Sequence, residues 1–459
     1  MRKFFVLISL MFLYFVCPFS LLTAQFQTYP GMNQGNLDGG LGITWINNQP
    51  YYSFHFRPEI AFSKIGVGLN LKLEFGADGK LRSENFNEFS DYLSIIRYVR
   101  YGQKQDPFYT RLGALDYATL GHGSIIYMYN NSPSFDTRKV GLELDLDLDR
   151  FGVETVYGNF GQAGVAGVRG YVRPFRFTDM SSVPLIRDIE VGASFAADFD
   201  KYAGVTSAVY NDSLKKLDIL SDKGAMKVIG FDLGLPIRLS SIFTLTPYFD
   251  YSKIVEFGSG TALGLMFNMS GLGLVDVAAK LERRFNGDNY LPAYFNSFYE
   301  IDRFMADASK INAIDSTRFI SKAARLESLK DQSNGYYGEL LVRVLNTFDI
   351  LGSYQRLDKD SKSGILHLVA DISPKDGSYV ARAGYDKVRI EGEKDLFTLD
   401  DRSYLYAEAG YKPMPYLLVS MVYHWTFSPV RDSDDKVIDY KPQKRIEPRV
   451  SFVYPFSVR

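Results

Sequence analysis

One cysteine, Cys17, occurs in 459 residues, and it lies within an apolar run near the amino end. A disulfide framework and a cysteine-based metal site are therefore excluded, and stability must come from hydrogen bonding and burial. Lipid attachment at Cys17 would want a small residue before it, whereas Phe15-Val16-Cys17-Pro18 offers valine. Histidine is nearly as scarce. His55, His122, His367 and His424 stand apart, with no pair at metal-ligand spacing, so no metal and no cofactor is expected. An excess of one charge is missing too: 52 basic residues face 53 acidic ones for a formal net charge of -1, which gives a nucleic acid no electrostatic hold. Beyond Leu22 no apolar run is long enough for a spanning helix, which excludes a helical membrane protein.

The chain opens Met1-Arg2-Lys3, runs apolar from Phe4 to Leu22 and then reads Thr23-Ala24-Gln25. A basic start, an apolar core and a small residue before a polar one predict a signal peptide over 1–24. An uncleaved helix is the alternative, but no flanking charge follows Leu22 as a stop-transfer segment requires. Residues 25–459 show no linker or composition shift, so they are read as a single domain. Their aromatics are plentiful: 35 Phe and 32 Tyr suit girdles at two water-lipid interfaces, and 39 Gly suit tight turns and close strand packing.

Val140 to Leu148 alternates without a break. Val140, Leu142, Leu144, Leu146 and Leu148 share one face, and Glu143, Asp145 and Asp147 the other. Similar alternation predicts twenty strands between about residue 41 and residue 457, the first and fourth being the weakest, for an all-β, antiparallel, up-and-down transmembrane barrel of about 18–20 strands. The connections mostly alternate short and long. Ser63-Lys64, Asp149-Arg150, Ser240-Ser241 and Asn346-Thr347 are tight, whereas 76–91, 117–137, 199–226, 285–334, 390–401 and 428–446 are long; 175–187 breaks the pattern. Short periplasmic turns, long external loops and an even strand number are the expected consequence.

Charged residues must turn inward in such a barrel, because Arg or Lys on the lipid face at mid-depth costs ~2–4 kcal/mol. Backbone groups must also pair between strands, which only a closed barrel allows. The expected inner wall therefore carries Lys72, Glu74, Arg111, Glu143, Asp145, Arg169, Arg173, Asp232, Arg238, Glu339 and Arg343. These are the pore-lining candidates. Both signs are represented, so weak ion selectivity is expected if the lumen conducts.

The last residues, Arg449 to Arg459, place Val450, Phe452, Tyr454 and Phe456 on one face. This pattern resembles outer-membrane porin-like β-barrels, whose last strand ends in alternating apolar and aromatic residues. The resemblance implies recognition by the barrel insertion machinery through that strand, outer-membrane lipid around the barrel, and passive passage of small solutes. Here Pro455 interrupts the strand, and Ser457-Val458-Arg459 follows the last aromatic.

No segment carries a convincing catalytic set, so no catalytic residue is expected. Gly121-His122-Gly123-Ser124 superficially invites one, but His and Ser two apart on extended backbone lie about 7 Å apart, too far for direct proton transfer. A Gly-bounded loop folding toward the lumen accounts for it more simply. Gly258 to Gly264 lacks the Lys-Ser/Thr ending of a phosphate loop and reads as a hairpin. The connection 285–334 holds Tyr290, Tyr294, Phe295, Phe298, Tyr299 and Arg303, then a segment of helical character from Ser316 to Lys330. Those residues are candidates for a constriction or for binding, with packing against the rim as the plainer alternative. The expected function is a weakly selective porin-like channel. A non-conducting surface barrel, used for binding, adhesion or assembly through its loops, is the alternative, and a plugged lumen would favour it.

Overall fold

The computed structural model describes residues 33–457 except 87–88, 94, 105, 135–138, 212–215, 271–272, 308–315, 331–333, 346, 375–376, 432 and 434–436. The segment 1–24 lies outside these residues. What is described forms one closed antiparallel barrel of twenty strands. Closure is made by Gln34–Ile46 against Val437–Ser457, in register from Gln34 opposite Ser457 to Ile46 opposite Arg445. With no free edge, each strand finds a partner on both sides, as a bilayer core demands.

The segments expected as strands form them, with boundary shifts. The first is longer than anticipated and starts at Gln34, and the fourth is short, Ile96–Tyr101. Two strands carry breaks: Gln49–Phe56 continues as Glu59–Phe62, and Ile65–Leu69 as Leu71–Phe75. The connection 428–446 is not a loop. Leu417–Arg431 and Val437–Ser457 stay paired from Leu417 opposite Phe452 to Arg431 opposite Val437, a hairpin that extends the wall beyond its neighbours. Its alternation was hidden because Pro429 and Pro442 sit within it, where an extended hairpin tolerates them.

The two ends of the barrel differ as expected. One end carries turns such as 63–64, 148–150 and 239–242; the other carries 76–95, 114–140, 199–225 and 287–334, although the 47–48 turn there is also tight. The exceptional 173–189 connection holds two short 3-10 helices, Pro174–Phe177 and Asp179–Ser182. The 199–225 and 287–334 connections form a second sheet of four strands, in the order Lys216–Asp222, Val205–Asn211, Ser316–Ser321, Phe304–Asp307. Helical character expected from Ser316 is confined to Lys322–Ser328. Thr317, Phe319 and Ile320 in the preceding strand are β-branched or aromatic, and the backbone is already paired with Val205–Asn211.

Burial alternates along the wall. Gln443, Arg445, Glu447, Arg449 and Ser451 are buried inside, while Val450, Phe452 and Tyr454 are exposed outside. Ile229, Phe231, Leu233, Leu265, Leu281, Leu340, Ile350 and Met421 continue the outer apolar belt around the barrel. Arg283, an outward cation, lies toward the loop-bearing end, stacked 4.1 Å from the Tyr336 ring and paired with Asp358 at 3.0 Å. Its stem can cover apolar surface while the head reaches the interface. Leu265, opposite Leu281 in mid-strand, has no such escape. Leu265→Arg is expected to destabilise the folded barrel by ~2–4 kcal/mol. Urea titration of the lipid-reconstituted protein checks this, and an unchanged midpoint would contradict the assignment of that face to lipid.

Candidate functional site

The inward side chains of the wall are charged and mostly paired. Arg169 lies within 2.9 Å of Asp232, within 2.8 Å of Glu154 and within 2.7 Å of Glu190. Arg173 meets Asp147 at 2.8 Å and Glu190 at 3.0 Å. Lys104 bridges Glu143 at 3.2 Å and Asp145 at 3.1 Å, and Arg343 pairs with Asp349 at 2.9 Å. Near the closure, Lys72 reaches Glu74 at 3.1 Å and Glu447 at 3.4 Å, while Arg445 holds Glu74 at 2.9 Å. Arg111 pairs with Asp116 at 3.0 Å. Arg238 occupies an inward register position opposite Thr244 but is exposed, being at the turn-bearing end.

Glu339 does not merely line the wall: it accepts a hydrogen bond from Tyr337 at 2.6 Å and another from Tyr127, a residue of the 114–134 segment. That segment and 287–304 both fold into the lumen. They pair with each other through backbone bonds, Tyr127 N to Phe295 O at 3.0 Å, Phe295 N to Ile125 O at 3.1 Å and Ala293 N to Ser124 O at 3.0 Å. Their side chains form one buried cluster in which Leu115, Leu120, Ile125, Ile126 and Tyr129 pack with Tyr290, Tyr294, Phe295 and Tyr299 and with wall residues such as Val156, Val228 and Ile254. Met128 reaches farther, onto Ala278, Leu341 and Leu351.

Two inward glycines make room for the plug. A Cβ on Gly230 would lie 2.6 Å from the Ile125 side chain, and one on Gly167 would lie 2.5 Å from Ile126. Either substitution would push the loop off the wall. Polar anchors complete the seating: His122 Nδ1 is 2.8 Å from Asp250, Ser124 donates to the same carboxylate, and Lys280 donates to the His122 carbonyl at 2.5 Å. Burial opposes a charge on the His122 imidazole, but the Asp250 carboxylate overcomes it and raises its pKa above the ordinary value. The carboxylate therefore sits between Ser124 and His122, where it anchors both and leaves the imidazole no contact with the hydroxyl to activate it.

Glu300 ties the two loops together. Its carboxylate accepts from Tyr129 at 2.5 Å and pairs with Lys139 and Arg303. Burial favours the protonated acid, yet Arg303 and Lys139 outweigh it and hold its pKa below the ordinary value. Arg303 continues to Asp198 at 3.0 Å and Asp200 at 2.9 Å, and Tyr299 donates to Asp198 at 2.7 Å. Tyr290, Tyr294, Phe295, Phe298, Tyr299 and Arg303 are all buried. They form the interior of a plug rather than a rim decoration or an exposed stacking surface.

The plug packs on wall residues from Val156 to Leu351 and, through Phe298 and Ile301, on Val388, Phe427 and Tyr440. A cavity of about 350 Å³ remains beside it, bounded by Arg97, Tyr98 and Arg111 from one part of the wall, Asp386 and Tyr404 from another, and Asp116, Tyr117, Ser297 and Phe298 from the plug. Asp386 also holds His367 at 2.6 Å, and the Tyr117 ring lies 5.0 Å from that imidazole. The infolded 114–134 segment was visible in the sequence only as the run Ile125-Ile126-Tyr127-Met128-Tyr129 between Ser124 and Asn130, too apolar for a solvated loop.

A closed barrel with an apolar outer belt, an ionised inner wall and loops concentrated at one end defines a porin-like barrel of the outer-membrane type. No family model and no curated protein matches the sequence. Among solved structures, the chain is similar to Pseudomonas aeruginosa OccK11 (OpdR), at 12% identity over 94% of this chain and 99% of that one with a TM-score of 0.30. It is also similar to a mutant of the Pseudomonas aeruginosa ferric enterobactin receptor PfeA in complex with enterobactin, at 9% identity over 93% and 82% with a TM-score of 0.38. A triple mutant of the Rhodopseudomonas blastica porin aligns at 10% identity over 92% and 99% with a TM-score of 0.25.

Proposed function

We propose that this protein is an exported outer-membrane channel for small polar solutes or ions, with a lumen narrowed by its own loops. The observation that carries the reading is the inner wall: Lys72, Arg111, Glu143, Arg169, Asp232 and their partners project acidic and basic groups inward along the barrel, and Arg111 with Arg97, Asp116 and Asp386 lines a cavity bounded by the plug. An inner surface of that kind suits water and solutes, and a wall of both signs gives no strong ion preference. The plug makes the path narrow. Discrete conductance steps, small for a twenty-stranded barrel and weakly ion-selective, are expected in planar bilayers from the purified folded protein. Their absence under all voltages tried would overturn the channel reading.

A non-conducting barrel is the second reading. It is favoured by the buried cluster joining Leu115–Tyr129 to Tyr290–Leu326, which occupies part of the lumen with packed apolar side chains. On that reading the four-stranded sheet at the loop-bearing end would be the working part. Insertion through the aromatic last strand belongs to both readings.

A further inference from the structure

Beside the plug, at the loop-bearing end, a recess is lined by Lys322, Arg325, Lys362 and Arg389, with Asp302 the only anionic group among its lining residues. Gln355, paired with Ile365 on the neighbouring strand, and Val388 line its wall side, and Gln355 and Val388 are buried inside the barrel. Lys322 is 5% exposed, and its Nζ has no hydrogen-bond acceptor among the described residues. The Tyr294 and Tyr299 rings, 5.2 and 5.3 Å away, supply only the diffuse attraction of aromatic faces. Carboxylates nearby are distant or engaged: Asp302 is 3.9 Å from Arg389, Asp360 is 3.9 Å from Arg325, and Glu391 is held by Lys362 at 3.1 Å. Arg325 donates to the Lys362 carbonyl at 3.5 Å, which leaves the guanidinium at the rim of the recess.

A buried ammonium without an acceptor is costly unless something supplies one. Burial brings Lys322 down to about 8, with Asp302 resisting and Arg325 and Arg389 adding to the fall. A cation so placed would gain from an incoming anion. The recess as a whole has room for about one water-sized group, about 20 Å³, so an anion would seat a single oxygen in it and keep the rest outside. A tetrahedral oxyanion would seat one oxygen on Lys322 and present the others to Arg325 and Lys362.

We propose that this recess is a binding site for a soluble phosphate-type oxyanion, built on Lys322 and Arg325. The proposal stands whether or not the barrel conducts. Thermal unfolding of the full-length folded barrel in detergent, with inorganic phosphate against sodium chloride at matched ionic strength, tests it. Phosphate should raise the wild-type midpoint, since a ligand of the folded state stabilises it. Lys322→Met, which keeps the stem between the tyrosines, should abolish that shift while leaving the midpoint without phosphate at or above the wild-type value. Arg325→Gln, at the more exposed rim, should weaken phosphate binding about tenfold by calorimetry, the effect of losing one charge-assisted contact. It carries the test if Lys322→Met does not fold. Equal shifts from phosphate and chloride in the wild type would overturn the proposal, as would a Lys322→Met barrel that is less stable yet keeps its phosphate shift.

Discussion

Glu300→Gln is expected to loosen the plug by ~3–5 kcal/mol, the cost of removing one partner from a buried ion pair. Lys139 loses the carboxylate it pairs with, and Arg303 loses one of three. Arg303 keeps Asp198 and Asp200, so the damage falls chiefly on the bond between the loops, where Lys139 follows the 114–134 segment and Tyr129 lies within it. The barrel wall should survive. Amide hydrogen exchange reads the difference: protection should fall across 114–134 and 287–304 while the wall strands stay protected. Uniform loss would mean that the plug and wall unfold as one unit, and no loss would mean that Glu300 does not hold the loops.

The same carboxylate fixes the direction of the pH dependence. Its pKa is lower folded than unfolded, so its contribution is present above the ordinary glutamate value of 4.5 and is lost as pH falls through the folded value. Acidification should therefore open the loops of the wild type and change the Glu300→Gln protein less.

How much of this was legible beforehand depends on periodicity. Val140 to Leu148 revealed its two faces because strand side chains alternate strictly and a bilayer penalises charge on one side. About twenty strands followed from the same rule, and so did inward positions for Arg169 and Asp232, but not the ion pair between them. The plug obeys no period. Its backbone bonds run between 114–134 and 287–304, far apart in the chain, and its glycine seats at Gly230 and Gly167 belong to strands that look ordinary in one dimension. Helical character after Ser316 misled for a related reason: tertiary pairing with Val205–Asn211 decided the conformation that local sequence left open. Aromatics from Tyr290 to Tyr299 stand out in the sequence as candidates for a constriction or for binding, yet burial inside the lumen is not readable from their spacing.

Replacing 287–334 with a short turn between Asn286 and Gly335 should raise single-channel conductance several-fold. The ends are already neighbours, since Arg284 pairs with Gly335 in the wall, and the replacement leaves the register of both strands unchanged. What departs is half of the plug: Tyr290, Tyr294, Phe295 and Tyr299, together with the backbone partner of Ser124 to Tyr127. The 114–134 segment would keep its anchors on Asp250, Glu154 and Glu339 but lose the apolar surface that covers it. A twenty-stranded barrel freed of this filling has width for an aqueous path, because interior diameter grows with strand number. Planar-bilayer recording of the folded variant beside the wild type separates the alternatives. Larger steps would identify the loops as the constriction of a channel. Equal steps would mean that 287–334 does not constrict the path, although Ser297 and Phe298 bound the cavity beside Arg97, Arg111 and Asp386, and silence from both proteins would leave the loops as the working surface of a closed barrel.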